Sequence, residues 1–415
     1  MSHGLLWSNR NYRLLVSGAA ATSLGDGVAA VAVPWLATLL SRDPLQVAAV
    51  TTAEYMPWLL VALPAGVWTD RADRRLLTLR ADGVRLMLAL CLVAMALSAP
   101  AAAASGADRS AALAVLAGIA FLLGTATVVR GNAAQTLLPS LVAPGDLERA
   151  NGTMWSAEQV VGRLVGPPLA GALIAAGIAV PFGFDAAALA VTIGLVWLIA
   201  TPARAPGAAG RFWPALREGL AWMRRNPTVL RLAVMLGGVN AVAVGGLAVL
   251  VLYAQEALGL GARGYGLLLT CAAAGGVLGG IGAPEVARRI GMRASLIVSL
   301  SAFVLLHLLL GLSSSVPLAG LAFFLEGAGG MLWNVVTVSY RQRLIPDALL
   351  GRVNAIYRFL GWGAMPFGSL AAGALVAAAE PSLGRAVALH GPYLVGAAVC
   401  AALLAYGGFR LRFAP

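Results

Sequence analysis

Residues 66–75 read Gly66-Val67-Trp68-Thr69-Asp70-Arg71-Ala72-Asp73-Arg74-Arg75, a charged turn set between two long apolar runs. The runs, near 45–67 and 76–98, are each long enough to cross a hydrocarbon core about 30 Å thick at about 1.5 Å of rise per residue. The turn is therefore a loop outside a bilayer. Within it Gly66 lets two helices approach closely, Asp70 is an acceptor at a helix end, and Arg71, Arg74 and Arg75 are cations at any working pH.

The composition agrees. Sixty per cent of the 415 residues are apolar and 11% are charged, with a mean hydropathy of +0.85, whereas soluble domains carry about 25% charged residues. This is a polytopic membrane protein. All 29 basic residues are Arg and none is Lys, which excludes a Walker phosphate loop and Schiff-base chemistry. The net charge of +12 lies in short loops between apolar segments, so it orients the chain in the bilayer and does not form a nucleic-acid surface. Cys91, Cys271 and Cys400 sit far apart in apolar runs; no disulfide framework, metal site or cofactor is expected.

Apolar runs bounded by Arg, Pro, Gly or Asp clusters give twelve helices, near 13–40, 45–67, 76–98, 110–137, 152–176, 180–200, 229–254, 265–284, 294–312, 317–340, 353–377 and 386–409. The run after Arg13 is too long for a signal-peptide core and reads as the first span. The one long polar connector, Thr201 to Thr228, holds Pro202, Pro206 and Pro214 and a surface helix over Trp213 to Arg225. The expected organisation is an all-α membrane protein with twelve transmembrane helices in two pseudo-symmetric six-helix bundles, 1–200 and 229–415, joined by the linker 201–228. With the N-terminus inside, 22 Arg fall on the inner side, four outside (Arg42, Arg109, Arg263, Arg385) and three within spans (Arg85, Arg163, Arg358). The positive-inside rule then places both termini and the 66–75 loop in the cytoplasm.

The halves echo one another. Gln135-Thr-Leu-Leu-Pro139, Arg149-Ala-Asn151 and Gly171-Ala-Leu173 correspond to Gln342-Arg-Leu-Ile-Pro346, Arg352-Val-Asn354 and Gly373-Ala-Leu375. A repeat of this kind puts a substrate pathway between the halves near the midplane.

A charge inside a span is a functional candidate because burying it costs about 2.5–3.5 kcal/mol even on the lenient insertion scale. Asp26 lies halfway along helix one, Glu54 in the outer half of helix two, Glu158 in helix five with Arg163 a turn and a half further, and Glu326 near the middle of helix ten. A desolvated carboxylate takes up a proton more readily and a nearby Arg opposes this, so a carboxylate moving between the two environments carries protons. Asp26, Glu54, Glu158 and Glu326 are the candidate proton carriers, with Arg163 as a counter-charge to Glu158. Fixed inter-helix ion pairs are the alternative for each. Asp82 and Arg85, three apart in helix three, are placed to pair, while Asp185 and Arg358 read as interfacial, and His307 and His390 as isolated packing residues.

In helix five, Gly162 and Gly166 lie one turn apart on one face, while Pro167 frees a backbone carbonyl and bends the helix. Gly162-Arg-Leu-Val-Gly166-Pro167-Pro168-Leu-Ala-Gly171 resembles the Gly-x-x-x-Gly-Pro-x-x-Gly-Gly motif of antiporters of the major facilitator superfamily, with Ala170 for the first Gly of the final pair. The 66–75 loop resembles the same superfamily's signature between helices two and three, matching at Gly66, Asp70, Arg71, Arg74 and Arg75 and departing at Trp68 and Asp73. The Gln135–Pro139, Arg149–Asn151, Arg352–Asn354 and Gly361–Gly368 stretches are similar to macrolide-efflux-type exporters, although Ala134 stands where that subgroup often has Arg. Arg130, one turn earlier, is the nearest cation.

The resemblance implies a transporter, not an enzyme, that exports amphipathic drug-like molecules in exchange for protons by alternating access. It implies a monomer in the cell membrane, with Asp70, Arg71, Arg74, Arg75 and Arg130 at a cytoplasmic gate. A siderophore or metabolite exporter and a lysophospholipid flippase are the alternatives.

Overall fold

The computed structural model describes residues 5–62, 64–65, 72–104, 109–200 and 212–411, and every regular element among them is helical. Helix one, Arg10–Leu40, begins at Asn9, whose side chain accepts from the Tyr12 amide at 2.9 Å, satisfying one of the donors a helix start leaves open. Helix two is Pro44–Leu60, helix three Arg74–Ala104, helix four Arg109–Leu137 and helix six Val180–Trp197. Helix five runs in three pieces, Leu147–Ala157, a π-helical stretch Glu158–Val165, and Gly166–Ala176. The surface helix is Phe212–Arg225, followed by helix seven, Pro227–Glu256, and helix ten, Val316–Leu344. Helices eleven and twelve are each broken once, into Asp347–Trp362 with Met365–Leu383 and Arg385–Ala388 with Gly391–Arg410.

Among the described residues ten helices are long and apolar enough to cross a membrane, against twelve read from the sequence, and the difference has two sources. Helix two has 17 residues before its turn at Val61, just under the length of a full span. Helices eight and nine form one element of 51 residues, Ala262–Leu312, divided at Gly291 (φ 77°, ψ 170°). That length would reach about 77 Å if straight, over twice a hydrocarbon core, so it holds two spans with Gly291 at their junction. This backbone conformation is open essentially to Gly alone. Gly291→Ala is expected to cost about 1–3 kcal/mol, read as a lowered unfolding temperature of the detergent-purified protein, although nothing within 4 Å obstructs a methyl there.

Two compact units are present. The first takes in Met1–Ser41, Leu60–Ala209 and Ala262–Thr270, the second Arg42–Leu59, Gly210–Gly261 and Cys271–Pro415. Helix two thus belongs with the second half of the sequence. It lies so close to helix eleven that a methyl on Gly373 would come within 2.7 Å of the Pro44 carbonyl oxygen, and the buried Thr52 and Ser369 hydroxyls are 2.8 Å apart. The start of helix eight belongs with the first unit by the same kind of contact, since a methyl on Gly171 would stand 2.7 Å from the Arg263 Cα.

The first unit buries Tyr12, Leu15, Leu137, Leu138, Val196 and Ile199 in one apolar cluster, where helices one, four and six end or begin. The second buries a larger cluster that includes Met223 of the surface helix. Arg217, Arg224 and Arg225 of that helix lie on its exposed or half-exposed side, and Glu218 pairs with Arg352.

Candidate functional site

Arg85 is the centre of a charge cluster inside the first unit. Its guanidinium bonds the Asp26 carboxylate of helix one and lies 3.5 Å from Asp82, one turn back on its own helix. Asp82 is in turn held at 3.0 Å by Arg130 of helix four. Arg85 is 3% exposed and Asp82 fully buried, whereas the Asp26 side chain is 44% exposed. The expected pair on helix three is present, extended by a carboxylate from helix one and a cation from helix four.

Asp185 corrects the sequence reading. It is 4% exposed rather than interfacial, because it enters helix one at Gly25, where a side chain would collide with its carboxylate. Below it, Thr22 donates to Thr192 at 2.9 Å, and Thr192 Oγ1 lies 3.1 Å from the Gly18 carbonyl oxygen. Gly18, Thr22 and Gly25 share one face of helix one, so the two helices meet along a stripe of small residues. The signal in the sequence was Gly25 next to Asp26, but nothing local says which helix fills the gap.

Helix five carries the other candidates. Glu158 is half-buried at the start of the π-helical stretch, within Coulombic reach of Arg130, Asp26 and Arg163. Arg163 is exposed and forms no ion pair with Glu158 among the described residues, so the expected counter-charge is not locked in place. The widened turn has a local cause. Pro167 and Pro168 lack amide protons and their rings crowd the carbonyls of Arg163 and Leu164, and opening the helix into a π turn relieves both. The expected bend therefore takes the form of a bulge. Gly162 and Gly166 lie against Gly27 of helix one, where a methyl on Gly166 would come 2.7 Å from the Gly27 Cα.

Glu54 and Glu326 are half-buried in the second unit. One turn beyond Glu54, Trp58 meets Trp362 edge-on at 4.4 Å between ring centroids. Arg341, of the repeat Arg341-Gln342, donates to Asn354 at 2.8 Å and covers the Tyr357 ring at 3.7 Å; in the first half, Asn151 donates to the Leu147 carbonyl of its own helix. His307 and His390 bond backbone carbonyls of Phe303 and Leu310, each at 2.8 Å.

Of the 66–75 loop, Gly66, Asp70 and Arg71 lie outside the described residues. Arg74 donates to the Thr136 carbonyl at 2.8 Å in the last turn of helix four, and Arg75 donates to the Val196 carbonyl at 3.2 Å and to that of Trp197 at the end of helix six. Both cations meet orphan carbonyls at the negative ends of helices. Arg75→Ala is expected to remove about 1–2 kcal/mol of stability, measured by thermal unfolding, while Arg80→Ala, an exposed position on the same helix, leaves it within about 0.5 kcal/mol.

Ten membrane-length helices among the described residues, with a carboxylate–arginine cluster between them, fit a transporter of the major facilitator type, the class the sequence motifs resemble. A family model described as transmembrane secretion effector matches residues 7–412, and the chain belongs to that family. It is similar to the multidrug efflux pump Tap of Mycolicibacterium fortuitum, 28% identical over 395 residues that cover 90% of this chain and 91% of that one. The fold is shared with a bacterial homologue of the iron transporter ferroportin in its inward-facing state, at a TM-score of 0.74 and 19% identity, over 97% of this chain and 100% of that one. It is shared equally with the nucleoside transporter NupG, at a TM-score of 0.73 and 12% identity, over 96% and 99% of the two chains.

Proposed function

We propose that this transporter exports amphipathic, drug-like molecules from the cell in exchange for protons, with both termini cytoplasmic. The observation that carries the reading is the Arg85 cluster, in which Asp26 presents a half-exposed carboxylate to a cation that is almost wholly buried. A proton on Asp26 loosens its hold on Arg85, and loss of that proton restores it. Such a change alters how helices one and three are held, which is what a proton-driven alternation between inner and outer access requires. The likeness to a multidrug efflux pump supports the cargo class and the outward direction. Glu54, beside Trp58 and Tyr55 on helix two, is the proposed contact for cargo in the second unit, with Glu326 as a further carboxylate there. Asp70, Arg71, Arg74 and Arg75 are proposed to set the cytoplasmic gate, Arg74 and Arg75 by holding the ends of helices four and six.

The test is transport by purified protein in liposomes, with a fluorescent amphipathic dye and an imposed pH gradient. The native chain is expected to move dye against the proton gradient, and Asp26→Asn to lose that coupling while Glu54→Gln weakens dye uptake. Dye movement indifferent to the gradient in the native chain, with both variants silent, would overturn the antiport reading and leave a lipid or metabolite as cargo.

A further inference from the structure

The Arg85 cluster holds more negative than positive charge. Asp26 from helix one, Asp82 from helix three and Asp185 from helix six stand against Arg85 and Arg130. Glu158 and Arg163, which approach from helix five, do not change the balance: four carboxylates against three arginines leave one negative charge uncompensated. On a carboxylate sealed from water such a charge is not sustained as an ion, and a proton is what removes it.

The four carboxylates differ in how they are compensated. Asp82 is bonded by Arg130 and approached by Arg85, and Asp26 is bonded by Arg85 and half-exposed. Glu158 is half-buried beside the exposed Arg163. Asp185 is 4% exposed and makes no ion pair, and its Oδ1 has no hydrogen-bond partner among the described residues. It is sealed on one side by Gly25, and its neighbour Ala186 packs with Leu189 against Ala89 and Leu86 of helix three. Asp185 nevertheless lies within Coulombic range of Asp26 and Arg85, and Arg85 keeps one buried donor, Nε–H, without a partner.

We propose that Asp185 is the protonated member of the cluster in this conformation, and that Arg85 exchanges between Asp26 and Asp185 as the proton moves. While Asp185 is neutral, Arg85 is committed to Asp26 and Asp82. When Asp185 releases its proton, its carboxylate competes for Arg85, and Asp26, exposed to water, takes up the next proton. The two carboxylates thus share one arginine. This rests on the antiport reading for its use in transport, but not for its chemistry.

Infrared spectroscopy of the purified native protein at neutral pH, without cargo, tests it. The expected spectrum has a protonated-carboxyl C=O band that exchanges slowly with deuterium, as burial of Asp185 demands. Asp185→Asn is expected to abolish the band while preserving the fold, since the amide matches a neutral acid in shape. Asp26→Asn is expected to abolish it as well, because Arg85 then turns to Asp185. Glu285→Gln, at a half-exposed carboxylate paired with Arg288 and Arg289, is expected to leave it. Absence of the band in the native protein, its survival in Asp185→Asn, or rapid exchange typical of a water-exposed acid would overturn the assignment, and survival in Asp26→Asn would overturn the exchange of Arg85. Dye transport separates the two readings. A band that behaves as expected in a protein whose transport ignores the pH gradient sinks antiport and leaves Asp185 as the protonated site. Gradient-coupled transport that is unchanged in Asp185→Asn sinks the relay and leaves antiport standing.

Discussion

Arg85→Ala is expected to destabilise the protein strongly. The change leaves Asp26, Asp82 and Asp185 with Arg130 as the one cation bonded within the trio. Removing one member of a buried ion pair typically costs about 3–5 kcal/mol, because the partner keeps its charge and loses its compensation. The loss is expected to shrink as pH falls, since protonation of the stranded carboxylates removes the charge that destabilises them, and to be partly reversed in Arg85→Gln combined with Asp26→Asn. Thermal unfolding of detergent-purified variants across a pH series reads both effects, with the exposed Arg163→Ala as the comparison. Equal unfolding temperatures for Arg85→Ala and Arg163→Ala at neutral pH would mean that the cluster contributes nothing to the fold. A difference that grows on acidification would contradict its charge balance.

The elements that hydropathy governs were legible in the sequence, because a span is declared by its own residues. The surface helix was read as 213–225 and begins one residue earlier, and the Asp82–Arg85 pair followed from a spacing of three on one helix. What required the structure is everything that depends on a second helix. Asp185 lies five residues into helix six, and from the chain alone that position reads as an interface. Its burial follows from Gly25 of helix one, 160 residues away, which leaves room for its carboxylate. Arg163 is close to Glu158 by sequence distance, yet it is exposed and makes no ion pair with it among the described residues. The packing of helix two against helix eleven, through Gly373 and Ser369, is likewise not written in the residues of helix two. Sequence periodicity records which face of a helix is apolar and not which neighbour covers it.

The helix-five motif can be tested by a substitution that carries no charge. Gly27→Ala is expected to abolish transport, or to prevent accumulation of folded protein, although it adds a single methyl group. That methyl would overlap the carbonyl oxygen of Gly162, and the reciprocal methyl on Gly166 would press on the Gly27 Cα. Both obstacles are backbone, so no side chain can swing aside, and helices one and five must part. Overpacking of this kind costs about 1–3 kcal/mol where the surroundings adjust and more where they cannot. The same displacement carries Asp26, adjacent to Gly27, away from Arg85, so stability and proton coupling fall together. Gly83→Ala and Gly118→Ala, with nothing within 4 Å of the added carbon, are expected to be neutral or slightly stabilising, because Ala is the better helix former by about 1 kcal/mol. Unfolding temperature and dye transport are measured on all three variants. Transport by Gly27→Ala at the native rate would show that the close approach of helices one and five is dispensable. Loss of transport with native stability would place the role of the glycines in the movement of helix five against helix one, because the resting contact would then have proved able to absorb a methyl group that the working one cannot.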